Sequence, residues 1–153
     1  MPKTNELTNV ADALNVVLAD SFALYLKTKN FHWHVSGSHF RDYHLLLDEH
    51  ALQILASTDL IAERVRKVGG TTLRSIGHIA RLSEIADNDA EKVDAQAMLR
   101  ELRADTLTLI AALKKAKDVA DAAKDNASSG VIDQWTDEAE QRAWFLLESL
   151  DQG

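Results

Sequence analysis

Apolar residues recur every three or four positions along most of this 153-residue chain, the spacing that gathers them on one side of an α-helix. From Thr8 to about Trp33, the residues Leu14, Val17, Leu18, Phe22, Tyr25 and Leu26 keep that period and predict a first long helix. Val35-Ser36-Gly37-Ser38 reads as a short turn, with Ser38 placed to cap a second helix. That helix runs to about Val68, where Gly69-Gly70 stops it. Residues 71–90 read as a connector with a short helical piece near Ile76 to Leu82. Asn88 or Asp89 is placed to cap a third long helix, which carries Met98, Leu102, Leu109, Ile110 and Leu113 and ends near Ala123. Asp125 to Gly130 reads as a polar loop, and Val131, Ile132, Trp135, Ala139, Trp144, Phe145, Leu146 and Leu150 mark the last helix. No strand period or internal repeat appears. Four long helices with two short links and one long one predict an all-α four-helix bundle with a short extra helix between helices two and three.

Composition adds little to that picture but excludes several chemistries. Residues 1–153 suit one domain with a real core. The chain has one proline, Pro2, and six glycines, so little interrupts long helices. It has no cysteine, which removes disulfides, thiolate metal sites and a cysteine nucleophile, and fits a reducing compartment. The start lacks the apolar core of a signal peptide, and the pattern shows no apolar run expected to span a bilayer, so a cytoplasmic protein without a membrane partner is expected. A net charge of −7 opposes gripping nucleic acid through the general surface field. It would draw in cations, or serve only solubility.

The chemistry lies in the second helix and its approach. Five of the six histidines, His32, His34, His39, His44 and His50, fall within nineteen residues. Imidazole together with carboxylate suits first-row transition metals. On a helical wheel with His44 at zero, Asp48 lies at ~40°, Asp59 at ~60° and Glu63 at ~100°. A separate stripe of Leu47, Ala51, Ile54, Ile61 and Val65 belongs to the core, and Asp42, Glu49, Gln53, Arg64 and Lys67 should be solvated. The ligand stripe also holds Leu52 and Leu55, which suits it to contact with a partner. His44 and Asp59 stand ~22 Å apart along one helix axis, too far to share an ion. An antiparallel copy of the helix across a two-fold axis permits His44 and Asp48 of one subunit to meet Asp59 and Glu63 of another. His34, His39 and His50 are expected to be ordinary surface histidines. His32 ends the first helix and can swing toward the second.

Asn30-Phe31-His32-Trp33-His34-Val35-Ser36-Gly37, then Phe40, His44, Leu47-Asp48 and Asp59-Leu60-Ile61-Ala62-Glu63-Arg64 resemble the Dps family of starvation-induced mini-ferritins. The likeness runs over essentially the whole chain, including the Trp144-Phe145 pair, and the one long connection matches ferritin-like topology. It implies a ferritin-like hollow homododecamer with ferroxidase centres at two-fold interfaces. His32, His44 and Asp48 of one subunit, with Asp59 and Glu63 of its neighbour, would bind iron. Asp59 and Glu63 would be the strong, bridging ligands, with the histidines weaker and Asp48 acting through water or on His44. The implied activity is oxidation of Fe2+, with hydrogen peroxide preferred, and storage of Fe3+ as mineral. Zn2+ would occupy and inhibit the same site. Trp33 resembles a tryptophan near the family site that intercepts stray oxidant, although packing is the simpler expectation for it.

The resemblance is incomplete at two places. Founding members bind DNA with lysine-rich tails, whereas here Lys3 alone precedes the first helix and the chain ends Leu-Asp-Gln-Gly. Twelve copies would carry roughly −80 charges, so DNA binding is expected to be weak or absent, without a gel shift at moderate salt in low magnesium. The turn before the last helix has few acids, leaving Asp121 and Asp125 as candidates for a pore. Glu-x-x-His, the signature of an intrasubunit di-iron bundle, is absent from the sequence, which argues against a larger ferritin. The alternatives are a nucleoid DNA-binding protein with little ferroxidase activity, and a structural oligomer with adventitious zinc.

Overall fold

A computed structural model describes residues 4–151 as five helices: α1 (Thr4–His34), α2 (Phe40–Lys67), α3 (Ile76–Leu82), α4 (Ala95–Ala122) and α5 (Asn126–Glu148). No strand occurs among the described residues, and the all-α reading holds. Lys3 and the last two residues lie outside them. Leu14, Val17, Leu18, Leu24 and Phe31 of α1 are buried, as are Leu47, Ala51, Ile54, Ile61 and Val65 of α2. Met98, Leu99, Leu102, Leu109 and Leu113 of α4 and Ile132, Ala139 and Leu146 of α5 complete the core. The α2 set is the stripe its periodicity marked out. α1 packs along both α2 and α4, and α5 along α4, while α2 and α5 touch only slightly. Between Asn5 and His34, α1 is long and apolar enough to cross a membrane, contrary to the expectation of no such run. Half of its apolar eighteen-residue window is buried in the bundle, where α1 side chains join the core.

The long connection lies against α1 and runs parallel to it. Asn15 Nδ2 donates to Thr71 O at 2.9 Å, Lys27 Nζ to Ala86 O at 2.7 Å, and Asn30 Nδ2 to Asn88 O at 3.1 Å. Between them, Asp20 Oδ1 accepts from Glu84 N at 2.6 Å. These bonds satisfy connector backbone groups that no sheet or long helix serves. Gly69, at φ +89°, ends α2 in the left-handed conformation. A Cβ on Gly70 would stand 2.6 Å from Ala11 Cβ, so the chain passes α1 more closely than any side chain allows.

Helix starts differ from the sequence reading. His39, not Ser38, precedes α2, and its side chain makes no cap. Asp94 caps α4 by accepting from Gln96 N and Ala97 N, while Asn88 is engaged by α1 and by Glu101. Residues 126–130 are helical rather than loop, because Asp125 accepts from Ser128 N at 3.2 Å and from Ser128 Oγ at 2.5 Å. An aspartate at the N-cap satisfies amide groups that a helix start otherwise leaves open.

Asp20 is fully buried, and that burial raises its carboxyl to about 6 from 3.8. Its contact with Glu84 N and the neighbouring Ser83 oppose the shift, while the Glu84 charge adds to it. A folded-state value above the unfolded one means the folded chain holds the extra proton between these limits, so this group's contribution to stability falls as pH rises from 3.8 to about 6. Asp20→Asn keeps an acceptor for Glu84 N and removes the titration. Its stability relative to wild type should therefore increase across that window by about 2 kcal/mol, whatever its constant offset. Calorimetry of both proteins across the window checks this, and a difference that stays flat or shrinks with pH contradicts it.

Candidate metal centre

Two of the five clustered histidines come together. His32, at the end of α1, and His44, one turn into α2, stack with ring centroids 3.9 Å apart and planes 10° from parallel. His32 Nδ1 donates to His44 O at 2.6 Å, and His44 Nδ1 donates to His32 O at 2.8 Å. A carbonyl oxygen only accepts, so each ring carries a proton on Nδ1 and has Nε2 as its outward donor atom. This is the tautomer that a metal-ligating histidine needs, with the second nitrogen oriented by backbone. The short turn between the helices brings the two residues together, since Phe40 N donates to Gly37 O and Gly37 sits at φ +116°.

Asp48 lies one turn beyond His44, with Oδ1 3.8 Å from His32 Nε2. The same oxygen accepts from Lys29 Nζ at 2.7 Å. That hydrogen bond is the main reason the Asp48 carboxyl is pulled below its ordinary range, ahead of the charge of Lys29 and the nearby histidines. Asp48 is therefore held as a carboxylate whose first counter-charge is an ammonium. Lys29 was missed by the sequence reading, although its place one helical turn before His32 puts it on the same face.

Asp59 and Glu63 are exposed on the surface of α2. They are close enough for Asp59 to hydrogen-bond Glu63, and that bond followed by charge repulsion raises the Glu63 carboxyl. Two acids side by side at one helical turn form a group whose mutual repulsion a cation relieves. No group of three or more metal-ligating side chains assembles among the described residues of one chain. The histidine half and the acid half thus stay apart within the protomer, as fifteen residues of helix demand. Between them, Leu52 and Leu55 are 55% and 38% exposed, leaving an apolar strip on the ligand stripe.

The remaining histidines take other places. His34 Nδ1 bonds to Asn30 O at 2.7 Å and stays exposed. His39 lies near the Tyr43 ring. His50 is buried rather than superficial, and burial followed by the charge of Arg142 lowers it to about 4. Trp33 is 57% exposed, so packing within the chain does not account for it. Arg64 is not solvated as expected; its guanidinium lies 3.8 Å from Asp125 Oδ1 with 19% of the side chain exposed. Asp121 accepts from Ser129 Oγ at 2.6 Å, so both acids proposed for a pore are engaged in building the α4–α5 turn.

The ferritin-like domain family matches residues 11–153. A DNA protection during starvation protein of Brevibacillus brevis is 33% identical, across 97% of this chain and 99% of that one. The crystal structure of a Dps protein from Bacillus brevis superposes with a TM-score of 0.92 at 31% identity, covering 97% of this chain and 99% of the other. The chain belongs to the Dps family. A Dps protein from Vibrio cholerae O1, 21% identical, shares the fold with a TM-score of 0.90 over 96% of this chain and 92% of its own. That structure is described as a member of a broad superfamily of ferritin-like diiron-carboxylate proteins. Dps membership accords with the bundle, the single long crossover and the helix carrying the divided stripe.

Proposed function

We propose that this Dps chain removes and stores iron, oxidising Fe2+ at two identical centres on each two-fold interface of a hollow homododecamer. Residues 1–153 act as one ferritin-like unit in this reading, in the cytoplasm. His32, His44 and Asp48 of one subunit face Asp59 and Glu63 of its neighbour. The observation that carries the proposal is the reciprocal pairing of His32 and His44 through Nδ1, which turns both Nε2 atoms to the outer edges of the rings, that of His32 toward Asp48. The acids that would complete the centre stand on the same helix, exposed, beside an apolar strip suited to a partner.

Iron here is the substrate. Imidazole nitrogen and carboxylate oxygen together favour a borderline transition metal over magnesium or calcium. Glu63 and Asp59 supply the charge that holds it, and His32 and His44 add neutral donors. Asp48, tied to Lys29, orients the histidine side and offers a third carboxylate once the ammonium yields. Each ferrous ion releases one electron and peroxide takes two. The O–O bond breaks and two protons complete two waters, so no hydroxyl radical is released. Fe3+ then hydrolyses and is stored as mineral inside the shell. Zn2+ fits the same donors without redox chemistry and acts as an inhibitor. The net charge of −7 per chain favours cation capture over DNA binding, so protection acts chiefly through iron.

Anaerobic loading with Fe2+, followed by peroxide, tests this reading. Ferric absorbance should rise with one peroxide consumed per two irons, in a particle sedimenting as a dodecamer and losing the activity when preloaded with Zn2+. Oxidation no faster than in protein-free buffer would exclude it.

A further inference from the structure

Phe40 is the first residue of α2 and is 44% exposed in the protomer. Its ring stacks on His44 with centroids 4.9 Å apart and planes 25° from parallel. The other neighbour of the His44 ring, His32, lies at 3.9 Å and 10°. No ring contact joins Phe40 to His32 among the described residues, so the two stand on opposite faces and His44 is sandwiched. A single hydrogen bond at Nδ1 leaves an imidazole free to pivot about that bond. Flat rings on both faces remove the pivot and fix the direction of Nε2. Burial alone does not explain an aromatic residue that leaves nearly half its surface open.

We propose that Phe40 is a positioning residue, holding the His44 imidazole flat against His32 so that both Nε2 atoms keep one orientation toward the metal. This rests on the site assignment above and extends it to a residue that binds nothing itself. The turn that places Phe40, through the hydrogen bond its backbone N–H donates to Gly37 O at 3.1 Å, also fixes where the clamp begins. Donors held to within fractions of an ångström bind metal more tightly than donors that must first be ordered.

The clamp distinguishes an aromatic face from mere volume, so Phe40→Leu and Phe40→Tyr are compared in the assembled, metal-free protein titrated with Co2+. Phe40→Leu should bind Co2+ about three- to tenfold more weakly, the worth of an aromatic stacking preference, with an altered visible band. Phe40→Tyr should match wild type. A second readout needs no metal: deuterium exchange at the His44 ring C2–H, followed by mass spectrometry, should quicken in Phe40→Leu and not in Phe40→Tyr. Phe40→Met replaces Phe40→Leu if the latter alters sedimentation. A leucine variant indistinguishable from wild type in both readouts overturns the proposal, as does a tyrosine variant as impaired as leucine. Asp59→Ala/Glu63→Ala serves as the control. Wild-type Co2+ affinity in that variant would sink the site assignment itself, whereas weakened binding there with an unaffected Phe40→Leu sinks only the clamp.

Discussion

The Asp59→Ala/Glu63→Ala protein should oxidise Fe2+ roughly a hundredfold or more slowly than wild type, since even outer partners of metal ligands are worth about 10–100-fold. It should sediment unchanged. Both side chains are exposed on α2 and belong to none of its buried contacts, so their loss costs the fold little. A His32→Ala/His44→Ala protein should be comparably slow. Co-assembly of the two defective proteins in equal amounts then separates an intersubunit site from an intrachain one. If one subunit supplies histidines and its neighbour supplies acids, about a quarter of the centres become intact by chance, because each half is wild type in half the subunits. Recovery of that order, from two proteins that are each inactive, is the expected result. A mixture no more active than its components would place all the ligands on one chain, and the helix geometry would then have been misread.

Lys27→Met should lower stability by about 3–5 kcal/mol, as expected when a buried ion pair loses one partner. The Lys27 side chain is 5% exposed, and its ammonium lies 2.7 Å from Asp105 Oδ2, 3.3 Å from Glu101 Oε1 and 2.7 Å from Ala86 O. The ammonium thus donates to the Ala86 carbonyl and is flanked by two acidic side chains. Burial raises the Asp105 carboxyl, and the Lys27 hydrogen bond and charge oppose that rise. Methionine keeps the length of the stem but leaves Asp105 buried without its cation and Ala86 O without its donor. The loss reaches from α1 to α4 and to the connector at once, so cooperative unfolding, rather than local fraying, should carry it. Replacing Asp105 by leucine in the Lys27→Met background should recover much of the loss, because removing both charges removes the uncompensated one. Denaturant unfolding of the three proteins decides it. A Lys27→Met protein within 1 kcal/mol of wild type would show that water reaches the site and screens the remaining acid.

Periodicity was enough to locate every long helix. Heptad-like spacing in α2 separated the stripe that is buried, Leu47 to Val65, from the stripe that carries His44, Asp48, Asp59 and Glu63. Helix boundaries were less legible. The cap of α4 lies at Asp94 rather than Asn88 or Asp89, and residues 126–130 are helical, because which aspartate captures the first amides depends on where the preceding chain is tied down. The histidines divide in a way spacing could not show. His50 falls on the same short stretch as His44 yet turns into the bundle, beside Phe145 and Arg142.

Taken alone, the order of residues determines four amphipathic helices, one long crossover and a divided row of histidine and carboxylate side chains on the second helix. These follow from a repeat near 3.6 residues and a fixed rise per residue, which are properties of any helix. Three-dimensional packing alone decides which groups meet across the chain. It places Lys29 on Asp48, seats Lys27 among Asp105, Glu101 and Ala86 O, and locks His32 and His44 through each other's carbonyls. Such contacts join residues separated by up to 78 positions. Their partners are chosen by how two rigid helices lie together, and no local preference of either segment encodes that choice.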